Sequence, residues 1–396
     1  MKSFGRGRLA LVFGLGVMVA SGCGEDAGGA AKAEPKASAQ STADKASTPA
    51  SASDKKVANA PATGAPTSTA TTSAEAPASS AAPAGNPAAA AGPGQLPKGT
   101  NGILPPGEAD KLLPVGGKPV VTVLDKGAEP RESLAYDLSK GQKESFGIGM
   151  DMTMKMDMGG RATPPIKMPR MNMLMELVAN DKNPEKDVFI EGLMKGVTVD
   201  AGADAMQKQL SETLKKELDG LKGLKMTYWV SPKGEVRDSK LVIPPSAPAS
   251  AQQMMQGMLQ SMDSMVAPLP KEDVGVGAKW SAITRVMSNG ADFLQLARYT
   301  LKQKDGTKLT FDVEIEQVAA KGTIDAPGLP PGVKTSLKSI ESAGKGTMVL
   351  DLKQLSPVSS QTNMALKMSL HVEAQGKQED MSMEMGMGVE FTHPKK

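Results

Sequence analysis

From residue 147 to 158 the chain reads G-I-G-M-D-M-T-M-K-M-D-M, so that Met150, Met152, Met154, Met156 and Met158 alternate with Asp151, Thr153, Lys155 and Asp157. Successive side chains of a strand point to opposite faces, and the pattern predicts a strand with a thioether face backed by a charged one. The alternation returns at Met171, Met173 and Met175 and at Met381, Met383, Met385 and Met387. The surface shared by these strands is expected to organise the folded part. Further strand candidates cover residues 120–124, 133–138, 167–178, 188–199, 224–230 and 235–243, then 274–280, 281–286, 292–303, 308–318, 345–352, 359–372 and 380–391. Turn chemistry separates them: Gly159-Gly160 with Pro164-Pro165, Ser231-Pro232-Lys233-Gly234, Asp305-Gly306 and a proline-rich loop at 328–332. Long alternating strands joined by polar turns predict an antiparallel sheet with one wet face.

Two stretches change period. Met206, Leu210, Leu214, Leu218 and Leu221 fall at helical spacing, with Glu212 and Lys216 four apart on the polar flank and Gly220 and Gly223 as stops. Met254, Met255, Met258, Leu259, Met262, Met265 and Val266 make a second helical stripe, opposed by Gln253, Gln256, Gln260 and Asp263 and ended by Pro268 and Pro270. The predicted fold is therefore mainly β: an antiparallel, curved sheet or half-barrel with two amphipathic helices over 113–396. Two sub-halves, 113–245 and 270–396, are expected to be joined by the helix at about 248–266.

The first ninety residues follow no such pattern. Residues 24–112 are dominated by Ala, Pro, Ser, Thr and Gly, with no aromatic residue and almost no branched apolar residue before Ile103. Such a chain cannot bury enough surface to offset its ordering entropy. A coil of about 90 residues has an r.m.s. span on the order of 50 Å, so residues 23–112 are expected to act as a disordered tether. Ahead of it, Lys2, Arg6 and Arg8 precede an apolar run at 9–19, too short to span a bilayer and the right size for a signal-peptide core. Ala20-Ser21-Gly22-Cys23 follows, and Cys23 is the chain's single cysteine.

That segment resembles the bacterial lipobox, in which small residues precede an obligatory cysteine; the departure is Ala20, where leucine is commoner. The resemblance implies a signal peptide over 1–22, cleavage before Cys23 and acylation of Cys23 with diacylglycerol and a further fatty acid such as palmitate. Stable anchoring takes more than one acyl chain, each buried methylene contributing about 0.8 kcal/mol. In enterobacterial lipoproteins an aspartate after the cysteine implies retention at the inner membrane. Gly24 at that position implies the outer membrane, on its periplasmic side.

Composition narrows the function classes. Net charge is +3 with both signs interspersed, and aromatic residues are 3% of the chain, which argues against nucleic-acid binding. One cysteine excludes an intrachain disulfide. Gly275-Val276-Gly277 lacks the third glycine of a dinucleotide fingerprint, and Ala343-Gly344-Lys345-Gly346-Thr347 lacks the spacing of a phosphate loop. Neither a G-x-S-x-G elbow nor an H-E-x-x-H motif is present, and His371 and His393 are the only histidines. No catalytic residue, cofactor or metal ligand is assigned, and the chain reads as a non-enzyme.

Methionine is the anomaly, at 27 residues, all but Met1 and Met18 lying at or after Met150. Three readings stay open for the methionine strands. They can line a core, methionine being a flexible gap-filler. They can form a soft apolar face that re-packs around a ligand or an envelope protein. They can bind Cu(I), for which thioethers are suitable ligands, although a stripe along one strand is not a converging cluster. A membrane-spanning barrel is not expected, because aromatic girdles are lacking and helices interrupt the strands. The layout of lipidated cysteine, tether, long antiparallel strands and amphipathic helices resembles half-barrel envelope proteins that carry lipids or lipoproteins. That resemblance implies a membrane-anchored, non-catalytic protein binding an apolar ligand or a protein partner.

Overall fold

The computed structural model describes residues 92–247, 266–288, 290–324, 333–374 and 376–394. The signal segment, Cys23, most of the tether, the predicted helix through Met254 and Met265 and the 328–332 loop lie outside the described residues.

The chain builds a single open, curved antiparallel sheet. In chain order the strands are β1 Val120–Asp125, β2 Lys143–Met158, β3 Arg161–Ala162, β4 Ile166–Lys167, β5 Met171–Lys182, β6 Val188–Val199, β7 Lys225–Val230, β8 Val236–Val242, β9 Lys279–Ser288, β10 Ala291–Asp305, β11 Lys308–Ala319, β12 Thr323–Ile324, β13 Lys334–Asp351, β14 Ser359–Ala374 and β15 Lys377–Thr392. Helices are α1, Glu108–Leu112, and α2, Ala205–Asp219. Across the sheet the order runs β1-β9-β10-β11-β13-β14-β15-β2-β5-β6-β7-β8, with β12 on β13 and with β3 and β4 on β2. β1 and β8 are the two edges, and both carry a register shift, at Val123/Asp125 and opposite β8 at Thr227/Trp229, of the kind that blunts an exposed edge.

The halves expected from the sequence are thus one sheet. β15, the last strand, pairs with β2, the first long one, from Met381↔Met158 to Thr392↔Gly147. β1 lies at the far edge against β9, so the 113–245 portion is divided between the two sides of the sheet. No local pattern could indicate this, because both pairings join residues far apart in the chain.

Four apolar clusters cover the sheet. One packs α2 and the 136–138 segment with β5, β6 and β7. Asp204 caps α2 by accepting from the Gln207 backbone N–H at 2.8 Å, a normal N-cap contact. Leu214 and Leu218 are buried beneath it, whereas Met206, expected on the same stripe, is 63% exposed. The second centres on Trp280, which stacks on Tyr299 and meets Phe311 edge-on at centroid distances of 5.6 and 5.3 Å. The third joins Phe293, Ile324, Leu337, Ile340, Leu370 and Met381. The fourth joins Leu104, Ala109 and Leu113 to Leu294 and Leu296.

Several expectations are corrected. The fold begins upstream of 113: Leu104 and Ala109 are almost fully buried, and Leu104 N–H donates to Ala319 at 2.9 Å. The apolar residues of this stretch are too sparse among Pro and Gly to show a period. Residues 133–138 form no strand, because neighbouring amides bond different partners, Tyr136 to Pro232 and Asp137 to Leu352, each at 2.8 Å. They cross between the clusters, burying Leu134 and Leu138. Residues 274–278 turn, with Gly277 at φ 88°, before β9 begins at Lys279 and runs through the candidate at 281–286. The 345–352 candidate is only the end of β13, which begins at Lys334; a register shift at Leu337/Ser339 breaks the alternation that would have revealed it.

Candidate functional site

The methionine strands lie side by side. Residues opposite each other in an antiparallel pair share a face and hold their Cβ atoms about 4.5–5.5 Å apart. Between β2 and β15 the register sets Met158 opposite Met381, Met156 opposite Met383, Met154 opposite Met385 and Met152 opposite Met387. β14 adds a third column: Leu370, Met368, Leu366 and Met364 stand opposite Met381, Met383, Met385 and Met387. On the other side of β2, Met150 faces Met171, Ile148 faces Met173 and Phe146 faces Met175. The stripe seen in sequence becomes a grid, four rows long and three strands wide, roughly 20 Å by 10 Å from strand geometry.

The grid lies between two packed regions. Met150, Met152, Met171 and Met173 abut the α2 cluster, in which Met175 is buried, while Met381 belongs to the cluster of Leu370. Met383 is buried; Met154, Met156, Met364, Met385 and Met387 are half-buried, and Met158 is 42% exposed. Cys23 lies outside the described residues. Met364 and Met368, which complete the grid, went unassigned from the sequence, although the period-two run Met364-Leu366-Met368-Leu370-Val372 carried the signal.

Methionine also packs the α2 cluster, where Met168, Met175, Met194 and Met226 are buried. Around Trp280 the same sheet packs Leu, Ala, Val, Phe and Tyr, with Met348 only at the margin.

The opposite face of β14, β15 and β2 is polar. Gly386 and Gly388 interrupt its side chains and floor a shallow groove of about 330 Å³, rimmed by Asp151, Thr153, Gln361, Asn363, Lys167, Arg170 and Glu390, with Met152, Met364, Met387 and Val389 also contributing to its lining. Arg170 crosses over Gly149; a Cβ at Gly149 would lie 2.3 Å from Nη2 of Arg170. Its Nη1 donates to Asp151 at 2.7 Å, its Nη2 to Glu390 at 2.6 Å and its Nε to Asn172 at 3.2 Å. Hydrogen bonding to Glu390 and the charges of both carboxylates hold the guanidinium above its ordinary pKa. The clasp ties the segment before β5 to β2 and β15. Sequence reasoning missed it; strand glycines, which often mark close approach, were the available hint.

Farther along, Asp380 accepts from Lys338 Nζ at 2.6 Å and meets Nδ1 of His371 at 2.7 Å. The Lys338 bond, then the His371 contact, hold its carboxyl below the usual range. Ser336 is the residue opposite His371 on β13. The line Ser336-His371-Asp380 lies on the sheet surface with His371 29% and Asp380 62% exposed, and no hydrogen bond links Ser336 to the ring among the described residues. It lacks the enclosed, water-excluding setting of a catalytic dyad. The other histidine, His393, is engaged by the carbonyls of Ser145 and Pro357 at 3.2 and 2.9 Å. Among the described residues no group of three or more His, Cys, Asp and Glu side chains is placed to hold a metal ion, and no helix is long and apolar enough to cross a membrane.

No family model matches the chain, and no curated protein matches it. Among solved structures, similarity extends to OmpT, an outer membrane protein of Vibrio cholerae, at 9% identity and a TM-score of 0.16, over 64% of this chain and 99% of that one. It extends also to OccK11 (OpdR) of Pseudomonas aeruginosa, at 8% identity and a TM-score of 0.13, over 66% and 100%. Scores this low do not establish a shared fold.

Proposed function

We propose that the protein is a non-catalytic cell-envelope lipoprotein, anchored through acylated Cys23 and carrying a β domain whose methionine grid takes an apolar ligand. The observation behind this reading is the grid itself: rows of facing methionines, most of them half-buried, between two packed clusters of one sheet. Unbranched thioethers adapt to chains of varied shape at small cost, and an acyl chain laid along the strands would match the grid's length. The lipobox-like segment and Gly24 favour the outer membrane, facing the periplasm. A second reading, a scaffold with this face closed as core, draws on the burial of Met381 and Met383.

The test is native mass spectrometry of the full chain released from mild detergent. The carrier reading expects a retained fatty acid or phospholipid mass. It also expects that mass to survive in M152L/M154L/M156L, which keeps the face apolar, and to be lost in M154K/M385K, which places two charges in its centre. Bare wild-type protein would remove the reading in favour of the scaffold. Cys23→Ser should abolish metabolic labelling with palmitate; unchanged labelling would refute the anchor.

A further inference from the structure

We propose that the methionine grid contains two Cu(I) sites, one formed by Met152, Met364 and Met387 and the other by Met156, Met368 and Met383. This goes beyond the apolar-ligand reading and does not depend on it, because it rests on sulfur rather than on apolarity. Along one strand, same-face neighbours are about 6.5–7 Å apart, which makes a single methionine stripe a poor chelate. The register removes that difficulty. Met387 stands directly between Met152 on β2 and Met364 on β14, and Met383 stands directly between Met156 and Met368. Each set is thus a row across three adjacent strands about 4.8 Å apart. An ion held above the middle strand asks each outer thioether to lean inward by roughly half to two-thirds of that spacing, within the reach of a stem with three rotatable bonds.

The chemistry selects the ion. Thioethers are soft and favour Cu(I). They are also neutral, and the carboxylates of these strands, Asp151, Asp157, Glu384 and Glu390, alternate onto the opposite face. A divalent ion would sit there without anionic compensation, a cost that a monovalent ion largely avoids. Partial exposure of Met152, Met156, Met364 and Met387 gives an entry path, while burial of Met383 supplies a dry floor to the second row.

The experiment uses the full chain in detergent micelles, under anaerobic conditions with ascorbate, titrated with Cu(I) against the chelator bicinchoninate. Two ions should be retained. M152L/M364L/M387L and M156L/M368L/M383L should each remove one ion, or weaken it by at least about tenfold, the lower end of what losing even a supporting group costs a metal site. Met206→Leu, on an exposed helical residue away from the grid, should change nothing. Leucine preserves apolar volume, so retained lipid mass in the same variants separates failure of this proposal from failure of the carrier reading. The wild type supplies a measurement independent of any variant's folding: methyl spectra of the chain carrying ¹³C-methyl methionine. Copper-induced shifts confined to the grid support the proposal. No competitive binding, shifts shared equally by Met206, or full retention by both triple variants would overturn it.

Discussion

The three tyrosines, Tyr136, Tyr228 and Tyr299, show how far single residues commit the chain to one fold. Each is held in apolar surroundings, and Tyr136 also donates from its hydroxyl to the Ala267 carbonyl at 3.2 Å. Burial disfavours the phenolate, raising all three pKa values above 10.0, Tyr299 to about 12, with Tyr299 adding to the rise at Tyr136. The unfolded chain releases these protons near pH 10, before the folded one does. The stabilising contribution is therefore complete below about pH 10 and is lost as pH rises toward the folded values. Tyr228 and Tyr299 are buried and Tyr136 is half-buried, so most of the phenolate absorbance should appear with unfolding, as one steep step above pH 10. A gradual titration near pH 10, with the fold intact by circular dichroism, would contradict the burial.

Among elements, the junction where β2 exchanges partners is the sensitive one. β2 pairs with β5 through Met150 and with β4 at Thr153 and Met154, and Arg170 closes the gap by reaching Asp151 and Glu390. Both carboxylates are more than two-fifths exposed, so screening discounts the pair and Arg170→Ala should cost about 1 kcal/mol, diminishing in high salt. Gly149→Ala should cost about as much, because its Cβ would displace the guanidinium. The two changes should not add, since they remove the same contact. Chemical denaturation of the single and double variants checks this, and simple additivity would sink the account. α2 gives the contrast: its period and stops were readable from Leu214, Leu218 and Gly220, because a helix is specified by neighbours in sequence.

At the scale of the molecule, the β15–β2 pairing joins the last strand to the first long one. Two meanders, β2-β5-β6-β7-β8 and β9-β10-β11-β13-β14-β15, are joined by an unpaired passage from β8 to β9, and the sheet is continuous only because Met381–Thr392 lies along Gly147–Met158. The folded region should unfold as one cooperative unit. Calorimetry of the full chain is expected to give a single transition from the β domain, with agreement between calorimetric and van't Hoff enthalpies. Two separable transitions would mean that β15–β2 is a contact between independent halves. Deleting 377–394 should prevent folding of both halves, since it leaves the edges of β14 and β2 unpaired.

Most strands, the turns at Ser231-Pro232-Lys233-Gly234 and Asp305-Gly306, and the two-faced character of the methionine segments were determined by the sequence alone. Each depends on period-two alternation or on residues a few places apart. The burial of Leu104 and Ala109 and the crossing at 133–138 were not legible, because their partners lie in distant strands. The start of β13 was hidden by a shift in register. For the site, sequence supplied the thioethers but only one dimension of their arrangement. Whether five methionines along β2 were a stripe or part of a grid depended on which strand lay beside it and in which register. That was decided by long-range pairing, in which a slip of one residue would have turned every methionine to the other face.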